Sequence, residues 1–168
     1  MTRARRETLG RGVVLLAALL ACPSTAWAAP LPSTPPAHRH RAGPAADVVE
    51  EINRHRARAG CSPVHLLDSL SRAAREHSAE MARRERLTHT GADGSRPIDR
   101  VRDAGYRPRM AGEVIASGAR TPNAAVDLWV DSPSHRTVVL NCAYTHAGVG
   151  VVDGSGGPWW TLDLAAGD

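Results

Sequence analysis

The sequence predicts an α+β domain in which helices cover a small, mainly antiparallel sheet. Three observations carry this. Capped segments with helix-period apolar residues fill the first part of the domain. A short apolar run holding one carboxylate follows. The chain then ends on two apolar runs joined by Asp153-Gly154-Ser155-Gly156-Gly157-Pro158, the composition of a hairpin loop.

Residues 1–28 read as a secretory signal peptide, because Arg3, Arg5, Arg6 and Arg11 precede the apolar run Val13 to Ala21, and Ala26-Trp27-Ala28 has the small-x-small pattern of a cleavage site. The apolar run is too short to span a bilayer, so the mature chain is expected not to be membrane-spanning. Leu19-Leu20-Ala21-Cys22 resembles a lipobox, but Leu20 and Pro23 fit it poorly, which makes lipoprotein anchoring at Cys22 the lesser alternative. Arg5-Arg6 also permits a twin-arginine route. Four of the 21 basic and one of the 17 acidic residues leave with this segment, so 17 and 16 remain, a formal net charge of +1. With no basic stripe interleaved with aromatics either, nucleic acid is excluded as a partner.

Residues 29–46 hold Pro30, Pro32, Pro35, Pro36 and Pro44 with almost no large apolar side chain, the composition of a disordered linker. His38 and His40 within it read as solvated histidines rather than a metal tract. The domain proper, residues 47–168, opens on a helix from Asp47, placed as N-cap, to Ala59, with Val48, Val49, Ile52, His55 and Arg56 at helical spacing and Gly60 as stop. Val64 to Leu67 form a short extended connection. Asp68 caps a second helix reaching about Arg86, with Leu70, Ala73, Ala74, His77 and Met81 on its apolar face. His77 there reads as a core or boundary histidine.

Leu87 to Gly94 is loop by its Gly, Thr and Asp content and places His89 just past a helix exit. Pro97 starts a short helix to Ala104, with Ile98 and Val101 inward. Met110 to Ser117 is a strand whose Glu113 admits two readings: the wet face of an alternating strand, or a functional carboxylate in an apolar run. Thr121-Pro122 opens a helix to about Asp131 with Ala125, Leu128 and Trp129 inward, and Ser132-Pro133 starts a single new turn with His135 and Arg136. Ala147 to Val152 and Trp159 to Leu164 complete the sheet. Phe is absent, so Trp and Tyr supply the aromatic bulk of the core.

Cys61 and Cys142 are the pair left after cleavage, and in an exported chain they are expected to form a disulfide, the alternative being two buried thiols. Neither HExxH, a CxxC pair, a phosphate-binding glycine loop nor GxSxG occurs. What survives is a nonlocal set, His89, Glu113 and His135, of types suited to a metal with open positions or to acid and base work.

The runs Glu51 to Gly60, His77 to Ala82, Thr88-His89-Thr90, Gly112-Glu113-Val114-Ile115-Ala116, Trp129 with Ser132-Pro133-Ser134-His135-Arg136, and Gly148-Val149-Gly150-Val151 occur in that order. Together they resemble the CAP superfamily, the cysteine-rich secretory, antigen 5 and pathogenesis-related 1 group, and in particular its short secreted bacterial branch. The resemblance implies a CAP-type α-β-α sandwich, an extracellular location and a cleft whose two histidines and two acids hold a divalent metal such as Zn2+. Residue by residue, His89 matches the first cleft histidine, Glu113 the acid of the Gly-Glu-Asn-Ile motif, and His135 the second histidine. The family's second acid falls near Ser132, so the tetrad is incomplete, and Asp131 is the candidate substitute. Val114 replaces the usual asparagine, His146 stands where glutamate is common, and Leu162 stands where glutamine follows Trp-Thr.

The function expected from these residues is a secreted, non-enzymatic binding module with a metal-capable cleft of His89, Glu113 and His135. One alternative is an extracellular hydrolase of protease type, with Glu113 or His135 as base and Ser132, Ser134 or Thr90 as the nearby hydroxyls. Another is a cell-wall- or lipid-binding structural domain. The partner is an unidentified extracellular ligand, with lipid and cell-wall components as candidate classes.

Overall fold

The computed structural model describes residues 43–167; the expected signal peptide, Cys22, His38, His40 and most of the proline-rich segment lie outside the described residues. Helix α1 (Pro44–Arg58) begins ahead of Asp47, because Gly43 takes the extended N-cap conformation and Pro44, with its fixed φ, occupies the first turn. Asp47 therefore sits inside that turn, its charge near the positive end of the helix dipole, and is not the cap. The run after Ser62-Pro63 forms a two-residue strand, β1 (His65–Leu66). Asp68 is likewise the first residue of helix α2 (Asp68–Arg84) rather than its cap, a role taken by the extended Leu67.

Helix α3 (Pro97–Asp103) and the ten-residue strand β2 (Pro108–Ser117) follow. Thr121 caps helix α4 (Pro122–Asp131) by accepting from the Ala124 N–H at 3.2 Å. Its buried stripe is Ala125, Val126, Trp129 and Val130, which turns Leu128 outward, half-exposed, where the sequence pattern had suggested an inward position. Ser132 then joins α4 to helix α5 (Pro133–Val139), longer than the single turn expected from Ser132-Pro133. The Ser132 hydroxyl bonds to Ser134 Oγ at 3.2 Å and caps nothing.

Strands β3 (His146–Val152) and β4 (Trp159–Gly167) complete a four-stranded sheet of order β1-β3-β4-β2. Only β1 and β3 run parallel; β3 with β4 and β4 with β2 are antiparallel, as the sequence reading expects. Interior β4 is buried over nearly its whole length because helices cover both of its faces. Alternation divides those faces. Val114, Ala116, Leu162, Leu164 and Val149 pack against α1, α4 and α5, while Ala111, Ile115, Trp159 and Ala165 pack against α2 and α3. The result is an α-β-α sandwich.

Helix α2 lies directly on the backbone of β3. A Cβ on Gly148 would stand 2.1 Å from the Leu70 carbonyl carbon, and one on Gly150 would stand 2.3 Å from that of Ala74. Any side chain at either position would push the helix off the sheet. The Gly-Val-Gly of β3 is therefore a packing device, and it fixes the height of α2, from whose end the loop carrying His89 departs.

Candidate functional site

The site forms at β2, which is an edge strand, and draws on three further segments. Glu113 belongs to the β2 face that looks toward α2 and α3, so the wet-face alternative for this residue does not hold: its side chain is fully buried. His89 reaches it from the loop after α2. That helix closes with Glu85 in the left-handed region (φ 49) and with the Arg86 N–H bonded back to the Met81 carbonyl, a closure that turns the chain toward the sheet. His89 Nδ1 lies 2.8 Å from Glu113 Oε1. Since a carboxylate accepts, Nδ1 donates in this bond, and Nε2 is the ring nitrogen of the half-exposed His89 that Glu113 leaves unused.

The other carboxylate oxygen is taken by a residue whose role no local pattern announced. Arg100 of α3 donates from Nη2 to Glu113 Oε2 at 2.6 Å and to the His89 carbonyl at 3.1 Å, and from Nη1 to the Ser95 carbonyl at 3.0 Å. One guanidinium thus neutralises the buried acid and also pins both ends of the His89 loop. His77 of α2 lies behind the pair, almost fully buried, with Nε2 3.8 Å from Glu113 Oε1 but bonded to the Thr88 carbonyl at 2.8 Å. Burial, ahead of every other influence, holds His77 below the usual imidazole range.

Opposite Glu113 in the β2–β4 register stands Asp163, fully buried with neither oxygen in a well-formed hydrogen bond. Burial first and the Glu113 charge second push its pKa well above the ordinary carboxyl value, against the pull of Arg100. The two carboxyl groups cannot both ionise cheaply in this setting, so Asp163 is the one held neutral. Because its folded pKa is raised, its contribution to stability is complete below the unfolded value of about 4 and is lost as pH rises through the folded one. Asp163→Asn does not titrate. Its urea midpoint relative to the parent is expected to improve steadily as pH rises above about 4. A gap independent of pH from 4 to 8 would contradict the raised pKa.

His135 sits in the first turn of α5. Its Nδ1 is buried without a partner, and its pKa is lowered, mainly by burial and secondarily by the charge of His89. Asp131 is the exposed last residue of α4. The structure therefore joins His89 to Glu113 by a direct bond, while His135, on α5, makes no hydrogen bond to either. It adds Arg100, His77 and Asp163, which the sequence reading did not assign to the site. Among the described residues no group of three or more His, Cys, Asp or Glu side chains is arranged to hold a metal ion. The cysteines lie away from this site, at the end of α1 and after α5, where Cys61 and Cys142 form the expected disulfide.

Fold and site together define an α-β-α domain with a buried carboxylate at its edge strand bonded to a histidine and an arginine. The chain belongs to the cysteine-rich secretory protein (CAP) family, whose model matches residues 49–164. It is 37% identical over 112 residues to the uncharacterized protein YkwD of Bacillus subtilis (strain 168), a match covering 67% of this chain and 43% of that relative, so the chain spans under half the relative's length. Among solved structures it is similar to an extracellular protein containing an SCP domain from Bacillus anthracis str. Ames, with a TM-score of 0.68 and 25% identity over 73% of this chain and 40% of that one. An outer surface protein of Borrelia burgdorferi matches with a TM-score of 0.66 and 21% identity, covering 72% of this chain and 90% of that one, which concerns the fold alone. No helix among the described residues is long and apolar enough to cross a membrane.

Proposed function

We propose that the protein is an exported, non-enzymatic binding module whose cleft takes a divalent metal ion such as Zn2+ on His89 and His135. One observation carries this reading: the Nδ1–H of His89 is tied to a buried carboxylate, which leaves Nε2 as the donor facing the cleft. A carboxylate behind the imidazole is the usual support of a metal-ligating histidine, because it fixes the tautomer and raises the basicity of the ligating nitrogen. His135, kept neutral by burial and with an unpartnered Nδ1, suits the second ligand. Glu113 does not suit a direct ligand, since Oε1 is bonded to His89 and Oε2 to Arg100. It acts from behind His89. With two protein donors, an ion bound there would supply a positive charge with open positions for an oxygen-bearing ligand.

The extracellular description of the Bacillus anthracis neighbour and the cleavage pattern at Ala28 support export. The hydrolase alternative draws less support, because the Ser132 and Ser134 hydroxyls bond to each other and no hydroxyl among the described residues bonds to His89 or His135. Isothermal titration with Zn2+ tests the metal reading. Saturable binding is expected in the parent, is lost in the His89→Ala and His135→Ala double variant, and weakens about 10- to 100-fold in Glu113→Gln, the scale of an outer-sphere support. Equal binding by the parent and the double variant would refute it.

A further inference from the structure

A cavity of about 310 Å3 opens beside α2 and α3, and neither His89 nor His135 borders it. Its wall includes His77, Glu80, Arg100, Arg72, Glu76 and Asp103. Two buried atoms in that wall lack partners, and they are opposite in kind. The Thr88 carbonyl can only accept, so the 2.8 Å bond to His77 Nε2 places the ring proton there and leaves Nδ1 as a lone pair. His77 Nδ1 faces Glu80 Oε2 at 4.0 Å, two acceptors with no donor between them. Arg100 spends its Nη atoms on Glu113, His89 and Ser95, which leaves the buried Nε–H as a donor without an acceptor. Each unmet group of this kind costs about 1–3 kcal/mol unless something in the cavity meets it.

We propose that this cavity binds a small zwitterion, an α-amino acid, whose ammonium group bridges His77 and Glu80 while its carboxylate meets the Arg100 Nε–H. A cation alone answers the acceptors and leaves the arginine donor unmet. An anion alone does the reverse and leaves His77 Nδ1 and Glu80 Oε2 without a donor. The rim repeats the pairing: Glu76 and Asp103 bring negative charge, and Arg72, held by its bond to the Ala104 carbonyl at 2.7 Å, brings positive charge. A pocket lined by side chains of both charge signs suits a small zwitterion.

The test is a titration of the secreted full chain with L-alanine, using propionate and n-propylamine as half-ligands, followed by calorimetry and by the side-chain 15N resonances of His77. Alanine is expected to bind saturably and to shift the His77 Nδ1 resonance, with each half-ligand at least about tenfold weaker, the scale of one lost charged hydrogen bond. Glu80→Gln, a change at a partly exposed position, is expected to weaken alanine binding by about tenfold. Alanine binding is expected to be the same with and without EDTA, so a failure of the metal reading leaves this result unaffected. Absence of saturable alanine binding, propionate or propylamine binding equal to alanine, an unmoved His77 resonance, or loss of alanine binding in EDTA would each overturn the assignment.

Discussion

Arg56→Met is expected to destabilise the domain by about 3–5 kcal/mol, read as a lowered urea midpoint with an unchanged slope. Arg56 is completely buried in α1, and no carboxylate answers its charge. Instead its guanidinium donates to four carbonyls: Val139 at 2.8 Å, Asn141 at 2.9 Å, Tyr144 at 3.0 Å and Ser62 at 3.1 Å. Val139 is the last residue of α5, so the positive charge sits on the negative end of that helix dipole. Methionine keeps most of the apolar stem and removes every donor, which strands several carbonyls away from water. Lysine keeps the charge but offers a point rather than a planar fork, so Arg56→Lys should recover only part of the loss. A loss under about 1 kcal/mol for Arg56→Met would show that solvent or neighbouring residues replace these bonds. Because α5 begins with the turn that holds His135, the same anchor at its far end helps hold the helix that carries this histidine.

Arg56 also shows where a sequence stops being legible. Its helical spacing with Val48, Val49 and Ile52 places it on the inward face of α1, and the structure keeps it there. The reason an arginine occupies that face lies more than eighty residues away, in carbonyls whose position depends on the completed fold. Elements with local signals were readable: Thr121-Pro122, the glycine-rich hairpin and the alternating strands appear close to their expected positions. His89 and His135 stood out with Glu113 as a nonlocal set once the local motifs were ruled out, and the family resemblance supplied their matched roles. Arg100 carried no signal, because on a short helix beside Val101 it resembles any solvated arginine, and its meaning comes from Glu113 in a neighbouring strand. Asp163 did carry one. A carboxylate inside the apolar run Trp159 to Leu164 is the same anomaly that singled out Glu113, and the register that sets the two face to face is what makes it chemically significant. Leu128 misled for the opposite reason, since the inward stripe of α4 runs through Val126 and Trp129 and a single apolar residue beside it is free to face solvent.

Replacing Cys61 and Cys142 together by serine is expected to cost about 4–5 kcal/mol, because the bridge closes a loop with a sequence separation of 81 and removes that closure entropy from the unfolded chain. Against a total stability of roughly 5–15 kcal/mol, this leaves little reserve, and a large fall in melting temperature on reduction is the simplest readout. The bridge and Arg56 tie the same two pieces together, the end of α1 and the segment that leaves α5. They act by different means. The disulfide limits the unfolded chain, whereas the guanidinium holds the folded one through its bonds to carbonyls. If those means were independent, their losses would add within about 0.5 kcal/mol. The carbonyls of Asn141 and Tyr144 flank Cys142, however, so the bridge also sets the backbone that Arg56 reads. Arg56→Met should therefore cost less in the double-serine background than in the parent, by about 0.5–3 kcal/mol in a double-mutant cycle. Strict additivity would mean that Arg56 alone positions the segment after α5, and with it the end of the helix that presents His135.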